Sequence, residues 1–319
     1  MKGIGIYEYG GKENLSRIQL PDRELESNEV KIMIKAAAVN PVDWKLREGY
    51  LKEDINYELP LILGWDVAGI VKEVGSSVSK FKVGDYIYSR PDLMKHGSYA
   101  DEMILEEYLV SKKPSTSTFE EAASFPLVGL TTIQALIDHA KLQSGEKVLI
   151  HAGAGGIGTF AIQFAKAMGA YVVTTTSAKN HEFVKGLGAD EIIHYDEEDF
   201  SNVVNDVDVV FDTLGGDVLL KSYEVLTHYG RLVTIAGGPN TIVPRNETAD
   251  EKEIKTYFEF TDPNGKQLDD ITPLVEEGKI RAVVDTIYPL TLEGVKEAHA
   301  HSEQGRTKGK IVLSSKSNS

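Results

Sequence analysis

Apolar and polar residues alternate through Val30-Lys31-Ile32-Met33-Ile34-Lys35-Ala36, the two-residue period of a strand with one buried face. The stretch from Val67 to Val74 continues in the same style, and turn residues follow at Gly75-Ser76-Ser77 and Gly84-Asp85. Residues 99–105 and 108–111 are predicted as further short strands. Short strands with frequent turns predict a small barrel or sandwich for the first third of the chain.

The pattern changes near Pro114. Thr118-Phe119-Glu120-Glu121 reads as a capping box, in which Thr118 and Glu121 satisfy free amides reciprocally at a helix start. From there strands alternate with helices. Predicted strands are 147–151, 171–175, 191–194, 208–212 and 231–236, an order that argues for a parallel sheet covered by helices on both faces. Beyond Pro263 come a predicted helix over 268–277, a strand over 281–287, a helix over 292–301 and a last strand over 310–313. A tail rich in Ser and Lys follows and is expected to fray.

The sharpest local signal is the apolar run Val148-Leu149-Ile150, which leads into Gly153-x-Gly155-x-x-Gly158 and then directly into a helix. In that helix Ile157, Ala161, Phe164, Ala165 and Met168 recur at three- and four-residue spacing, and Gly169 supplies the stop. Strand, turn and helix in this order are the context that gives a glycine pattern its meaning. One glycine permits the tight turn, one admits a pyrophosphate to the backbone, and one lets helix and sheet pack closely. Free amides at the helix start favour the anionic diphosphate. A tight turn without a ligand is the plainer alternative.

The second strand of such a unit usually ends on an acidic residue that binds the ribose 2′-hydroxyl of NAD. Here it ends Thr174-Thr175-Thr176-Ser177-Ala178-Lys179-Asn180, with no carboxylate before Glu182. Hydroxyls and a lysine suit a 2′-phosphate, so NADPH is expected over NADH. Lys179 also reads simply as a solvated surface lysine.

Length and charge narrow the picture. At 319 residues two domains are expected. Composition is ordinary globular usage, 41% hydrophobic and 26% charged. No run approaches the ~20 apolar residues that a membrane span needs, so no membrane partner is expected. The N-terminus reaches Glu8 too early for a signal-peptide core, and a cytoplasmic location is expected. A net charge of -15 repels phosphate backbones, which argues against nucleic acid as a partner. There is no cysteine, which excludes disulfides, thiolate zinc sites and a cysteine nucleophile together.

Several further segments carry a resemblance: Val39-Asn40-Pro41-Val42-Asp43, Pro60 to Gly69, Val83-Gly84-Asp85, Gly97-Ser98-Tyr99-Ala100-Asp101, Pro126 to Thr132, and Gly309-Lys310-Ile311-Val312. In this order, with the glycine turn, they resemble the medium-chain dehydrogenase/reductase superfamily, and within it the zinc-independent quinone oxidoreductase branch. The resemblance covers essentially the whole chain. It implies an α/β protein: a GroES-like β-rich domain over 1–117, joined by the C-terminal segment 288–319, and a Rossmann doubly wound parallel-sheet domain over 118–287. It also implies an active site in the cleft between the domains, a homodimer, and reduction by NADPH of a small quinone or enone.

Alcohol-oxidising relatives hold a catalytic zinc with cysteine, histidine and an acidic residue. This chain has Pro41 to Lys45 where such ligands begin, and Gly64-Trp65-Asp66 in place of a Gly-His-Glu pattern. Eight histidines remain, without ligand spacing; His299 and His301, two apart on a predicted helix, point to different faces. No metal is expected.

Position by position, the resemblance assigns Asn40 to the neighbourhood of the nicotinamide and substrate, although a loop asparagine before proline is ordinary turn chemistry. Thr131 and Thr132 resemble the segment that lines the nicotinamide, or are plain helix residues. The diphosphate falls to Gly153, Gly155, Gly156, Ile157 and Gly158. Ser177 and Lys179 are the 2′-phosphate candidates, and Tyr195 the aromatic beside the adenine end. Leu214-Gly215 and Ala236-Gly237 follow the fourth and fifth strands, where relatives pass backbone close to the cofactor. Tyr50 and Tyr99 are the candidate proton donors or oxyanion contacts. Phe258 and Phe260 wall a pocket or pack within a sheet. The remaining alternatives are an enal or enone reductase without quinone activity, and an NADPH-binding regulatory or interaction protein without turnover. A zinc alcohol dehydrogenase fails on its ligands.

Overall fold

The computed structural model describes residues 1–315; the tail over 316–319 lies outside the described residues. The chain divides into two compact units, Met1–Leu130 together with the chain from Asp262 onward, and Thr131–Thr261.

The first unit opens with a hairpin of β1 (Lys2–Ile6) and β2 (Leu15–Gln19), and β1 also pairs with the short β4 (Leu61–Ile62). Its main sheet is built on β3 (Glu29–Val39), which pairs antiparallel with β5 (Val67–Val74). Beyond β5 lie β6 (Tyr86–Ser89) and β8 (Val110–Lys112), and β7 (Glu102–Glu106) pairs with β3. Two helices belong to this stretch, α1 (Pro41–Glu48) and α2 (Phe119–Ala123). Thr118 and Glu121 cap α2 reciprocally as the sequence predicts, at 2.8 and 3.1 Å. The helix α3 (Pro126–Ile133) then leads toward the second unit.

The second unit is a six-stranded sheet of β9 (Lys147–Ile150), β10 (Tyr171–Thr176), β11 (Glu191–His194), β12 (Val207–Asp212), β13 (Leu226–Thr234) and β14 (Lys255–Phe258). All its pairings are parallel, in the order β11-β10-β9-β12-β13-β14. Helices α4 (Gly156–Ala167), α5 (His181–Lys185), α6 (Phe200–Val203), α7 (Gly216–Val225) and α8 (Glu247–Glu251) connect its strands. The central strand β9 is the apolar run Val148-Leu149-Ile150, fully buried as a strand covered on both faces must be. The chain leaves β9 to build outward on one side, then returns to build on the other. Such a reversal leaves a crevice at the carboxyl ends of the strands beside β9.

After the second unit the chain returns to the first. There α9 (Gly265–Glu276) is followed by β15 (Val284–Pro289), α10 (Leu292–Glu303) and β16 (Lys310–Ser314). Strand β16 pairs antiparallel with β3, placing Ile311 opposite Val39 and Ser314 opposite Ala36, and β15 adds parallel to β16. The unit boundaries therefore differ from 117/118 and 287/288. Residues 262–287 side with the first unit because α9 lies on β8: Tyr88 donates to the Leu268 carbonyl at 2.6 Å and Ser111 to Asp269 at 2.6 Å. A Cβ on Gly265 would meet the Val110 main-chain nitrogen and oxygen at 2.8 Å, so the helix start sits directly on the backbone of β8.

Helix α1 is fixed by buried polar groups. Asp43 Oδ2 accepts the Asn40 N–H at 2.8 Å and the Tyr99 hydroxyl at 2.6 Å, both out of water. One turn on, the buried Arg47 guanidinium donates to the Gly10 carbonyl (3.1 Å), to His299 Nδ1 on α10 (3.2 Å), and to Glu48 and Glu303. Burial and the neighbouring guanidinium depress His299 to about 3, so its ring is neutral and accepts from Arg47.

Burial pushes Asp43 up to about 7 even though the Tyr99 hydroxyl and the Asn40 N–H pull it down. In the unfolded chain the same group titrates near ~3.9. Between those values the folded protein holds the extra proton, so this group's contribution to stability falls as pH rises, by up to about 1.4 kcal/mol per pH unit. Asp43→Asn cannot titrate. Its stability relative to the parent, read from urea denaturation, is expected to be greater at pH 8 than at pH 5; a pH-independent difference would show that Asp43 is not raised.

Candidate active site

At the carboxyl end of β9 the chain turns through His151, Ala152 and the glycine segment. The left-handed residue of this turn is Ala152, with φ +55°, while Gly153, Gly155, Gly156 and Gly158 all avoid that region. The expectation that a glycine supplies the tight turn is thus corrected. The glycines are needed for space. A Cβ on Gly158 would stand 2.3 Å from the Ala152 carbonyl oxygen, and one on Gly153 would stand 2.1 Å from Thr174 Oγ1. Gly155 differs: its added Cβ would meet only the Ala152 oxygen, at 3.3 Å. The Gly155 carbonyl accepts from Thr159 N, so the amides of Gly156, Ile157 and Gly158 precede the helical hydrogen-bond ladder. That is a cradle of donors on the twelve-residue helix α4.

A relay that the sequence did not reveal holds this turn. Ala152 N–H donates to Thr175 Oγ1 (3.2 Å), which lies 3.1 Å from His151 Nδ1, and His151 Nε2 lies 2.9 Å from Ser222 Oγ. Ser222 in turn donates to the Val218 carbonyl at 2.7 Å, so its oxygen is the acceptor and His151 carries its proton on Nε2. Burial lowers His151 to about 4, which keeps the ring neutral. His151 follows an apolar strand, and a polar residue at a strand's buried end was the available signal.

The neighbouring strand ends complete the crevice. Ser177 is buried and accepts from Asn180 Nδ2 at 3.2 Å. Lys179 is exposed and forms no ion pair among the described residues. A carboxylate does approach this loop from the next strand, since Asp196 Oδ1 accepts the Ala178 N–H at 3.0 Å. Tyr195, beside it, is exposed. Past β12, the buried Asp212 carboxylate takes the amides of Leu214 and Gly215 (3.0 and 3.1 Å) and the Thr234 hydroxyl (2.6 Å). Thr234 Oγ1 accepts Ala236 N–H at 3.1 Å, so one carboxylate shapes the Leu214-Gly215 and Ala236-Gly237 loops together. A Cβ on Gly237 would collide with Thr241 at 2.1 Å, and Gly215 has φ +72°. Both glycines therefore have reasons inside the fold. Thr131 and Thr132 are buried, and Thr131 Oγ1 lies 2.6 Å from Thr261 Oγ1. Phe258 ends β14, the outer strand that periodicity missed, and Phe260 lies just beyond it.

In the first unit Asn40 stands at the junction of β3 and α1, 2% exposed. Its side-chain Nδ2 donates to Asp66 Oδ2 at 2.8 Å, and Oδ1 accepts from the Lys310 ammonium. Lys310 also donates to Asp66 Oδ2 (3.1 Å) and to the Val39 carbonyl (3.2 Å). Asp66 Oδ1 accepts the Leu127 N–H at 2.7 Å. Burial raises the Asp66 carboxyl, and the Lys310 ammonium opposes that shift. Lys310 and Asp66 were not among the expected site residues. The available signal was a lysine opening the apolar strand Ile311-Val312-Leu313, where a charge needs a partner.

The two tyrosines fare differently. Tyr99 is fully buried with its hydroxyl given to Asp43, so it is a packing and positioning group and not a proton donor to a substrate. Tyr50 is 66% exposed, with its ring edge-on to Trp44 at 6.2 Å, and it is not drawn into the Asn40 cluster. No group of three or more metal-ligating side chains stands together among the described residues. Nor is any described helix long and apolar enough to cross a membrane.

Comparison with known proteins agrees with this architecture. Residues 26–115 match the family model described as alcohol dehydrogenase GroES-like domain, and residues 187–313 the model described as zinc-binding dehydrogenase. An Arabidopsis thaliana chloroplast envelope quinone oxidoreductase homolog is 34% identical over 95% of both chains. The NADPH-dependent alkenal/one oxidoreductase of Arabidopsis thaliana chloroplasts is 33% identical, over 98% of this chain and 79% of its own. Among solved structures, the quinone oxidoreductase from Coxiella burnetii is 35% identical and superimposes with a TM-score of 0.88 over 99% of both chains. The crevice beside β9, the β-rich first unit and these relatives together place the chain in the medium-chain dehydrogenase/reductase superfamily of oxidoreductases, in its quinone oxidoreductase-like branch.

Proposed function

We propose that this protein uses NADPH to reduce a quinone or an α,β-unsaturated carbonyl without a metal. The observation that carries the reading is the donor cradle at the reversal point of the parallel sheet, where an added Cβ on Gly155 would meet only the Ala152 oxygen, at 3.3 Å. The group that fits is a dinucleotide diphosphate against the amides of Gly156, Ile157 and Gly158. The reaction class is supported by the relatives, a quinone oxidoreductase homolog and an alkenal/one oxidoreductase.

Lys179 and Ser177 hold the 2′-phosphate in this reading. Lys179 has no carboxylate partner among the described residues, and Asp196 is occupied with the Ala178 amide. Tyr195, Leu214-Gly215 and Ala236-Gly237 line the rest of the cofactor, with Thr131 and Thr132 toward the nicotinamide. The cofactor supplies a hydride. The protein's own residues orient the acceptor, exclude water and stabilise the oxygen on which charge develops, which Asn40 does by hydrogen bonding. A homodimer is part of the proposal, with the free edge of β14 as its seam.

Two measurements test it. Fluorescence titration is expected to show at least a tenfold preference for NADPH over NADH, about 1.4 kcal/mol. Lys179→Ala should narrow that ratio by weakening NADPH alone, and an unchanged ratio removes Lys179 from the site. A panel of quinones, enals and enones, followed through NADPH absorbance, should show turnover; saturable binding with no oxidation of NADPH would leave a binding protein instead.

Gly155→Ala separates ligand from fold. Its Cβ fits after a shift of a few tenths of an ångström, so the melting temperature should stay close to the parent's, while NADPH binding weakens about tenfold. Gly158→Ala should destabilise by about 2 kcal/mol or more, because backbone atoms occupy the space. If Gly155→Ala binds NADPH normally, the diphosphate does not lie on that turn.

A further inference from the structure

The cluster around Lys310 presents an energetic question. A buried ion pair adds little net stability over an apolar pair of the same volume, because desolvation offsets the Coulomb gain. Yet Lys310 and Asp66 are both at least nine-tenths buried, 3.1 Å apart, and completely engaged. The three ammonium protons meet the Val39 carbonyl, Asn40 Oδ1 and Asp66 Oδ2. The carboxylate's other oxygen takes the Leu127 amide. Stability alone does not account for such an arrangement.

Besides tying β16 to β3, the cluster fixes the orientation of Asn40. A free asparagine side chain can turn its carboxamide over, exchanging oxygen and nitrogen at small cost. Here the oxygen faces an ammonium and the nitrogen a carboxylate, so the reverse orientation would set donor against donor and acceptor against acceptor. The start of the helix is closed by Asp43 accepting the Asn40 main-chain N–H at 2.8 Å. Of the two Nδ2 protons one goes to Asp66, and no group among the described residues takes the second.

We infer that Lys310 and Asp66 are positioning residues for the reduction, holding the Asn40 carboxamide so that its remaining N–H meets the substrate oxygen that becomes negative. The inference rests on the proposed function. In that step the hydride forms a new C–H bond at the electrophilic carbon, the π electrons move to the carbonyl oxygen, and NADPH leaves as NADP⁺. The resulting enolate then takes its proton from water, and with a quinone the keto form tautomerises to the hydroquinone, its ring-carbon proton passing to water. Asn40 donates a hydrogen bond and transfers no proton, while Lys310 and Asp66 touch neither reactant and act through Asn40.

The test is a cycle on the full-length chain with a quinone or enone that the parent reduces. Asn40→Ala removes the donor. Asp66→Asn with Lys310→Met removes both charges together, leaving no lone buried ion. Each should lower kcat about a hundredfold, the usual cost of one oxyanion donor. KM and the Kd for NADPH should stay within about threefold. The isotope effect from NADPH deuterated at the transferred C4 position should rise as hydride transfer becomes limiting. The triple variant should be no slower than Asn40→Ala, because the three residues act as one unit.

A folded double variant with the parent's kcat, or a triple variant whose loss is the product of the separate losses, overturns the inference. If the double variant does not fold, Asn40→Ala still decides: turnover at the parent's kcat overturns it, and a hundredfold loss with unchanged NADPH affinity supports it. A parent chain that reduces nothing overturns the proposed function itself, and is told apart by the absence of turnover before any substitution.

Discussion

An ammonium shut away from water must find an acceptor for every proton it carries, and at Lys310 this requirement fixes much of the first unit. Its acceptors sit at the end of β3 and just before β5, on residues about 270 and 244 positions away in the chain. A one-residue slip of β16 along β3 would turn Lys310 to the opposite face and leave both the ammonium and Asp66 unpaired. The register of the last strand is therefore set by charge as well as by the apolar pattern of Ile311-Val312-Leu313. The same carboxylate holds the Leu127 amide at the first turn of α3, the helix that leads to the second unit. A single ion pair thus coordinates a strand that closes a sheet, a helix start and the orientation of Asn40.

The second unit solves a comparable problem with neutral groups. Its turn after β9 places a non-glycine residue, Ala152, in the left-handed region, a conformation that costs roughly 1 kcal/mol or more. The relay from Ala152 N–H through Thr175 and His151 to Ser222 stabilises that choice with hydrogen bonds running in one sense. Neutral His151 is essential to it, because a protonated ring would need a second acceptor where Thr175 now donates. Local strain here is held by neighbouring strands and α7, leaving the amides of Gly156, Ile157 and Gly158 without a main-chain acceptor among the described residues.

Much of this was legible in the sequence, for reasons that mark its limits. The parallel sheet could be read because Val148-Leu149-Ile150 and Val209-Val210-Phe211 are apolar runs bounded by turn residues, and the order of strand, glycine and helix specifies a dinucleotide turn. The apolar pattern predicts a strand from 231, yet β13 extends back to Leu226. Its pairing with β12 shifts register around the left-handed Tyr229, and His228-Tyr229-Gly230 looks like a turn. Strand β14 was missed because Lys255-Thr256-Tyr257-Phe258 forms the sheet's edge and lacks a buried apolar face. Helix α1 was missed because its buried face carries Asp43 and Arg47, which no hydrophobic period registers. Tyr99 looked reactive only until its hydroxyl was traced to Asp43. In each case the unseen element was a contact between residues far apart in sequence, which spacing cannot encode.

A chain with net charge -15 that holds a polyanion must rely on near neighbours. At physiological ionic strength charges are screened over about 8 Å, so most of the surface carboxylates exert little force at the glycine turn. Two unit charges ~4 Å apart, by contrast, interact by about 4 kcal/mol at the surface of a protein. Three carboxylates at the ends of β11 and β12 already have partners within the fold. Asp196 is bound to the Ala178 amide, Glu197 lies 3.0 Å from His194 Nδ1, and Asp212 is saturated by two amides and a hydroxyl. Each is held by donors of the fold, whereas the Lys179 ammonium and the first amides of α4 are not spent on it. The acidic surface and an anion site are therefore compatible in one molecule.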